Sequence, residues 1–237
     1  MKIPHYMDLL LVTIAGLFIY WVCSGWVPEN GSVVRGQKTV DTVINEIGPV
    51  SESKLKQIFA QANFTYPPER ISLIAIKDTQ MLEIWAHHNG QSKKIQSFPI
   101  QAASGVLGPK LREGDFQVPE GIYRISAFNP NSAYHLSMKL NFPNAFDLKY
   151  AHLEGRTEPG SDIFIHGKAV SIGCLAMGDE VIELLFTLVH QVGRSHTEVV
   201  IAPTDPELGA LQVPEGAAQW VHILYQNLTA KITEIRG

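Results

Sequence analysis

Short runs of alternating apolar and polar residues recur through the middle of the chain, and turn-forming residues separate them. The runs at residues 71–76 and 81–85 flank a four-residue turn, which predicts a β-hairpin. Further strands are predicted over residues 95–103, 121–128, 134–140, 162–165 and 198–202. Apolar residues at helical spacing predict helices over 51–63, from Gly178-Asp179-Glu180 to about Val192 with Asp179 as N-cap, and from Pro214 to about residue 232. This pattern predicts a β-rich α+β fold with mixed sheets and helices at their edges.

Length and charge exclude several classes of protein. The chain has 237 residues, which is enough for one domain or at most two. Hydrophobic residues make up 45% and charged residues 18%, as in an ordinary globular protein with a core. The net charge of -4 includes no basic excess, so a nucleic-acid partner is not expected.

The N-terminus carries an uncharged apolar run that begins at residue 9 and continues to about residue 27, with Lys2 before it. A membrane anchor needs about 20 apolar residues, whereas a cleaved signal peptide needs small residues at its cleavage site. The bulky Tyr20, Trp21 and Trp26 fit a membrane interface better than a cleavage site, so an uncleaved anchor is favoured over a cleaved signal. A buried core helix is the third interpretation. Anchor and signal both predict export to the cell envelope or periplasm.

The remaining chain divides by composition. Glycine and proline punctuate the stretch after the apolar run, which indicates a linker followed by a short helix. We expect four segments: the anchor or signal at 1–27, the linker and short helix at 28–69, a strand-rich domain at 70–203 and a helical extension at 204–237.

One cysteine, Cys174, lies outside the N-terminal apolar run. Such a thiol is either buried and inert or reactive. His166 precedes it by eight residues, at the end of a predicted strand, and a predicted helix follows it closely. An imidazole can accept the proton of a thiol, and a helix N-terminus favours the thiolate. Gly173 allows a close backbone approach, and its N–H and that of Cys174 are candidates for an oxyanion hole.

The segment from His166-Gly167 to Ser171, Gly173 and Cys174 resembles the active-site signature of the YkuD family of L,D-transpeptidase catalytic domains. The resemblance implies that Cys174 is the nucleophile and His166 its base, with Gly167, Ser171 and Gly173 as supporting residues. It extends over about residues 70–203 and implies that this segment is an L,D-transpeptidase-like catalytic domain. Further blocks are similar to the YafK-like branch of the family and lie at residues 107–115, 118–123, 129–132 and 142–147.

The resemblance implies chemistry on the peptide stems of peptidoglycan. A tetrapeptide stem would acylate Cys174, and an amine acceptor, either a diaminopimelate side chain or a lysine of an envelope lipoprotein, would resolve the thioester. Two alternatives stay open: a murein hydrolase or amidase that cleaves stem or lipoprotein amides with the same residues, and a non-catalytic peptidoglycan-binding module. The inner membrane is a further expected partner, through the N-terminal segment. No metal motif or phosphate-binding loop is present, and no cofactor is expected.

The chain departs from the wider family at two positions. Ile172 replaces a family histidine, and Ala176 replaces an arginine that would suit a substrate carboxylate. Other cations would have to replace that arginine. The candidate substrate contacts are His135, Arg112 and Lys168, with Lys110 as a further source of positive charge.

Overall fold

A computed structural model of the protein describes residues 36–237. One curled sheet of eight strands runs through it in the order β3-β2-β1-β8-β4-β5-β6-β7. The strands are β1 (Arg70–Ile76), β2 (Met81–His88), β3 (Gln91–Pro99), β4 (Gly121–Asn129), β5 (Ser137–Leu140), β6 (Phe164–His166), β7 (Leu175–Ala176) and β8 (Thr197–Ala202).

The sheet is mixed. β1 pairs with β8 and β6 pairs with β7 in parallel, and the other neighbours are antiparallel. The four helices are α1 (Val40–Gln61), α2 (Ala145–Leu153), α3 (Asp179–Val192) and α4 (Trp220–Arg236). The predicted mixed α+β architecture is therefore confirmed.

Two apolar cores cover the two faces of the sheet. On one face α1 and α3 pack together over strand residues such as Leu73. On the other face α4 packs through Leu224 and Leu228 against Ile74 and Val200. Covered on both sides, β1 is buried along almost its whole length, which explains why its sequence is a continuous apolar run.

The first helix begins at Val40, so the predicted start at residue 51 is wrong. Thr39 caps the helix by accepting a hydrogen bond from the Thr42 amide, and Pro49 lies inside it. Gly48-Pro49 normally indicates a break. Here buried Val43 and Leu55, one on each side of the proline, pack into the same core and hold the helix together.

Three further differences concern the helices. The last helix begins at Trp220 rather than Pro214, and α2 was not predicted. Gly178 occupies the N-cap position of α3, so the prediction that Asp179 is the N-cap is wrong. Asp179 is the first helical residue, and its carboxylate instead bonds to Lys168.

Helix α2 starts with a capping box in which burial disfavours the charged form of Asp147. The carboxylate of Asp147 accepts the Asn144 amide at 2.9 Å and lies 3.4 Å from the Tyr123 hydroxyl. Desolvation raises the pKa of Asp147 from 3.8 to about 6. The folded state therefore binds more protons than the unfolded chain between these values, and stability rises as the pH falls through this window.

We expect Asp147→Asn to stabilise the protein at pH 7.5, because the amide can stay in the capping box without an unfavourable charge. Allowing for partial solvent screening, the gain should be about 1–2 kcal/mol. It should disappear near pH 4, where the wild-type carboxyl is protonated. Urea unfolding at the two pH values measures it. A variant less stable at pH 7.5 would contradict the assignment.

The predicted anchor or signal at residues 1–27 lies outside the described residues. Within 36–237, no helix combines the length and apolar character needed to cross a membrane.

Candidate active site

The parallel pairing of β6 and β7 brings the two signature residues together. Ile165 pairs with Leu175 and His166 with Ala176. Cys174 lies in a bend directly before β7, and His166 is the last residue of β6. A rise of about 3.3 Å per residue and a strand spacing of about 4.8 Å put the Cα atoms of these two residues roughly 8 Å apart.

The imidazole of His166 is fixed by its own neighbour. Its Nδ1 lies 2.6 Å from the carbonyl oxygen of Gly167, and a carbonyl only accepts hydrogen bonds, so Nδ1 carries the proton. In a neutral ring the lone pair then resides on Nε2. Burial lowers the pKa of His166, while the bond to Gly167 opposes that shift. The ring is therefore neutral near pH 7 and able to accept a proton.

Close packing holds this imidazole in place. The ring of Tyr134 lies against it, with centroids 4.7 Å apart. A methyl group at Gly167 would lie 2.6 Å from the carbonyl oxygen of Tyr134 and 2.8 Å from a carboxylate oxygen of Asp179. Only glycine fits at this position.

Cys174 is 4% exposed, and its sulfur lies 3.9 Å from the carbonyl oxygen of Asp162. The hydroxyl of Ser171 accepts the Cys174 amide at 3.0 Å and donates to the Cys174 carbonyl at 2.6 Å. Ser171 therefore fixes both ends of the backbone of Cys174. The supporting role of Ser171 and the catalytic roles of His166 and Cys174 stay predictions.

Gly173 adopts φ +96°, a left-handed conformation that favours glycine. Its amide donates to the Ser104 hydroxyl at 2.5 Å, and Ser104 donates to the carbonyl of Phe116 at 2.8 Å. The amides of Gly173 and Cys174 are thus both bonded to side-chain hydroxyl groups. An oxyanion at these amides would have to displace Ser104 or Ser171.

The predicted substrate contacts do not lie at one point. His135 bonds to Glu183 of α3 at 2.7 Å. The half-exposed Lys168 pairs with Asp179 at 2.5 Å. Arg112 lies on an exposed loop and lines a groove of about 700 Å³ together with Arg156 and Trp220, and neither His166 nor Cys174 lines this groove. Their substrate roles stay predictions.

Lys110 is not available as a substitute for the family arginine. Its side chain is 4% exposed, and its ammonium bonds to the carboxylate of Asp115 at 2.5 Å and to the Arg112 carbonyl at 3.0 Å. Ala176, at the position of that arginine, is fully buried and pairs with His166 in the sheet. Ile172, at the position of the family histidine, is 39% exposed.

Three site residues were not predicted in these positions: Ser104, Tyr134 and Asp179. Ser104 contacts Gly173 across 69 positions of sequence, and no local pattern indicates that contact. Tyr134 directly precedes His135, in a run that was interpreted only as a strand. Among residues 36–237, no group of three or more His, Cys, Asp or Glu side chains is arranged to hold a metal ion.

Comparison with known proteins gives the same family as the resemblance of the sequence signature. The L,D-transpeptidase catalytic domain model of the YkuD family matches residues 69–201. The protein named "Putative L,D-transpeptidase YafK" in Escherichia coli K12 is 36% identical over 132 residues, which are 54% of this chain and 51% of YafK. The same values hold for its counterpart in E. coli O157:H7. The chain thus matches about half the length of these curated relatives.

Solved structures share less with the chain. The helical cell shape determining protein Pgp2 of Campylobacter jejuni (K307A mutant) is 21% identical, with a TM-score of 0.48 over 85% of this chain and 65% of Pgp2. Bd1075 of Bdellovibrio bacteriovorus is also 21% identical, with a TM-score of 0.42 over 71% of this chain and 57% of Bd1075. The family model, which covers more than half of the chain, decides the assignment: the chain belongs to the YkuD family of L,D-transpeptidase catalytic domains.

Proposed function

We propose that the protein is a cysteine-dependent acyltransferase that acts on the tetrapeptide stems of peptidoglycan, with Cys174 as nucleophile and His166 as base. The observation that carries the proposal is the hydrogen bond from His166 Nδ1 to the Gly167 carbonyl. It leaves Nε2 as the basic atom of a neutral ring, and the pairing of β6 with β7 brings the backbone of Cys174, directly before β7, close to His166. Family membership supports peptidoglycan as the substrate.

The reaction proceeds in two steps. Nε2 of His166 takes the proton of Cys174, and the thiolate attacks the amide carbonyl that precedes the terminal D-residue of the stem. The imidazolium then protonates the departing amine, and a thioester remains. In the second step Nε2 accepts a proton from the incoming amine, which attacks the thioester carbonyl. The C–S bond then breaks, and the imidazolium returns the proton to the Cys174 thiolate.

The acceptor decides the product. A diaminopimelate amine gives a crosslink, and a lysine of an envelope lipoprotein gives an anchored protein. Water as the acceptor gives hydrolysis with the same residues. In this proposal residues 9–27 carry the domain out of the cytoplasm and hold it at the inner membrane, which places the site beside its substrate.

Incubation of the detergent-solubilised full chain with purified sacculi tests the proposal. Mass analysis of the released muropeptides should show new crosslinks formed at the expense of tetrapeptide stems. Trimmed stems or released lipoprotein without new crosslinks would show that the protein is a hydrolase rather than a transferase. Sacculi that bind the protein but keep an unchanged muropeptide profile would favour a non-catalytic binding module.

A further inference from the structure

The peptide unit that joins Gly167 to Lys168 is bonded at both of its ends. Its carbonyl oxygen accepts the Nδ1 proton of His166 at 2.6 Å. Its N–H donates to a carboxylate oxygen of Asp179 at 2.9 Å. Because the two groups belong to one conjugated amide, the carboxylate and the imidazole are joined through a single planar unit.

The surrounding backbone makes this arrangement rigid. Lys168 has φ +58°, and its carbonyl accepts the Gly178 amide at 2.9 Å. The amide of Gly167 donates to Leu136 at 3.1 Å. The carboxylate of Asp179 lies so close to Gly167 that a methyl group there would be 2.8 Å from it. The contact between Asp179 and this peptide unit is therefore built into the fold.

We propose that Asp179 is a positioning residue that strengthens His166 as a base through the Gly167–Lys168 peptide unit. This inference rests on the proposed function. A carboxylate that accepts the N–H polarises the amide and increases the negative charge on its carbonyl oxygen. That oxygen then stabilises the imidazolium more than the neutral ring. Proton transfer from Cys174 becomes more favourable, and the share of thiolate at neutral pH rises.

This role offsets a cost that burial imposes. His166 is 2% exposed, and burial disfavours its charged form. No carboxylate contacts His166 directly in the hydrogen bonds and ion pairs of residues 36–237. The neutral peptide unit carries part of the effect of a carboxylate into the buried site, while the carboxylate itself stays solvated at the start of α3.

Other charged groups lie beside Asp179. The ammonium of Lys168 bonds to its second carboxylate oxygen at 2.5 Å. His135 interacts with Asp179 electrostatically and is itself bonded to Glu183 of the same helix. Glu180, next to Asp179 in the first turn of α3, is exposed. Glu180 offers a matched control, since its removal deletes the same charge from the same helix end without touching the peptide unit.

The test is the pH dependence of Cys174 alkylation by iodoacetamide in the full chain. Asp179→Ala should slow alkylation at pH 7 about tenfold and move the midpoint of the pH profile up by about one unit. Asp179→Asn keeps an acceptor for the N–H and loses the charge, so it should slow alkylation about threefold. Lys168→Met keeps the carboxylate on the peptide unit, and its midpoint should stay at or below that of the wild type.

Two further measurements separate positioning from mere folding. Glu180→Gln should leave the profile unchanged, and His166→Ala should define the slow limit. In the folded Asp179→Asn variant, the Nδ1–H proton resonance of His166 should move upfield, as expected for a weaker bond to Gly167. If Asp179→Ala does not fold, Asp179→Asn decides by its rate and this resonance.

Specific outcomes would overturn the inference. Suppose that the wild-type thiol is reactive and that the Asp179 variants are alkylated with the same midpoint pH as the wild type. This result would refute the role of Asp179 and leave the proposed function standing. If Glu180→Gln slows alkylation as much as the Asp179 variants do, the effect comes from the negative charge at the start of α3 and not from the peptide unit. A wild-type thiol no more reactive at pH 7 than that of His166→Ala would refute the inference and the proposed base together.

Discussion

Cys174→Ser should reduce the turnover of peptidoglycan stems by roughly 10³-fold or more. A serine hydroxyl has a pKa far above that of a thiol, and His166, with a pKa lowered by burial, is too weak a base to ionise it. The substitution changes one atom in a side chain that is 4% exposed, so the fold should persist. Rates of muropeptide formation from sacculi measure the effect, and thermal melting verifies the fold.

The other cysteine supplies the control. Cys23→Ser removes a thiol outside the described residues and should leave turnover unchanged. Intact-mass analysis after iodoacetamide treatment should show one label fewer in Cys174→Ser than in Cys23→Ser at short times. Full activity of Cys174→Ser would remove it as the nucleophile. Equal losses in both variants would indicate a general effect on the preparation.

Glu120→Ala should destabilise the protein by about 3–5 kcal/mol, because it leaves a buried cation without its partner. The carboxylate of Glu120 is fully buried and accepts hydrogen bonds from Lys77 at 2.9 Å, Gly108 at 2.7 Å and Tyr225 at 2.8 Å. Lys77, itself 6% exposed, also bonds to the carbonyls of Gly108 and Val118. Burial lowers the pKa of Lys77. This network joins α4 to β1 and to the loop that carries Ser104.

Two further variants serve as comparisons for Glu120→Ala. Glu52→Ala breaks an exposed pair with Lys56 in α1 and should cost less than about 0.5 kcal/mol. Lys77→Met combined with Glu120→Leu removes both charges and should recover the part of the loss that comes from the unpaired ammonium, but not the part from the Gly108 amide and the Tyr225 hydroxyl. Urea unfolding at pH 7 measures all three variants. A loss below about 1 kcal/mol for Glu120→Ala would show that water compensates the charge of Lys77.

Local pattern predicted those elements whose pattern is uninterrupted. The alternating or continuous apolar runs of β1, β2 and β4 and the amphipathic face of α3 were predicted close to their observed bounds. The first half of α1 was missed because Gly48-Pro49 favours a break, and tertiary packing overrides that preference. Helix α2 was missed although Asn144 and Asp147 carry a capping-box signal, since Pro143 and the surrounding polar residues are typical of a loop.

The residues of the site also differ in how far local sequence predicts them. His166 and Cys174 lie close in sequence and within a recognisable signature, so both could be named from sequence. The contact of Ser104 with Gly173 depends on long-range folding, as does the packing of the Tyr134 ring against His166. Asp179 was interpreted as a helix cap because the sequence gives its position at a helix start but not the partner of its carboxylate.

Gly167 has a consequence for how relatives of this protein are judged. Its hydrogen atoms face the Tyr134 carbonyl and the Asp179 carboxylate at distances that exclude any larger side chain. Selection for a stable fold alone would retain this glycine in a descendant that no longer turns over any substrate. Its presence in a homologue is therefore evidence of a shared fold. Whether that homologue shares the activity has to be judged from the residues that correspond to Cys174 and His166.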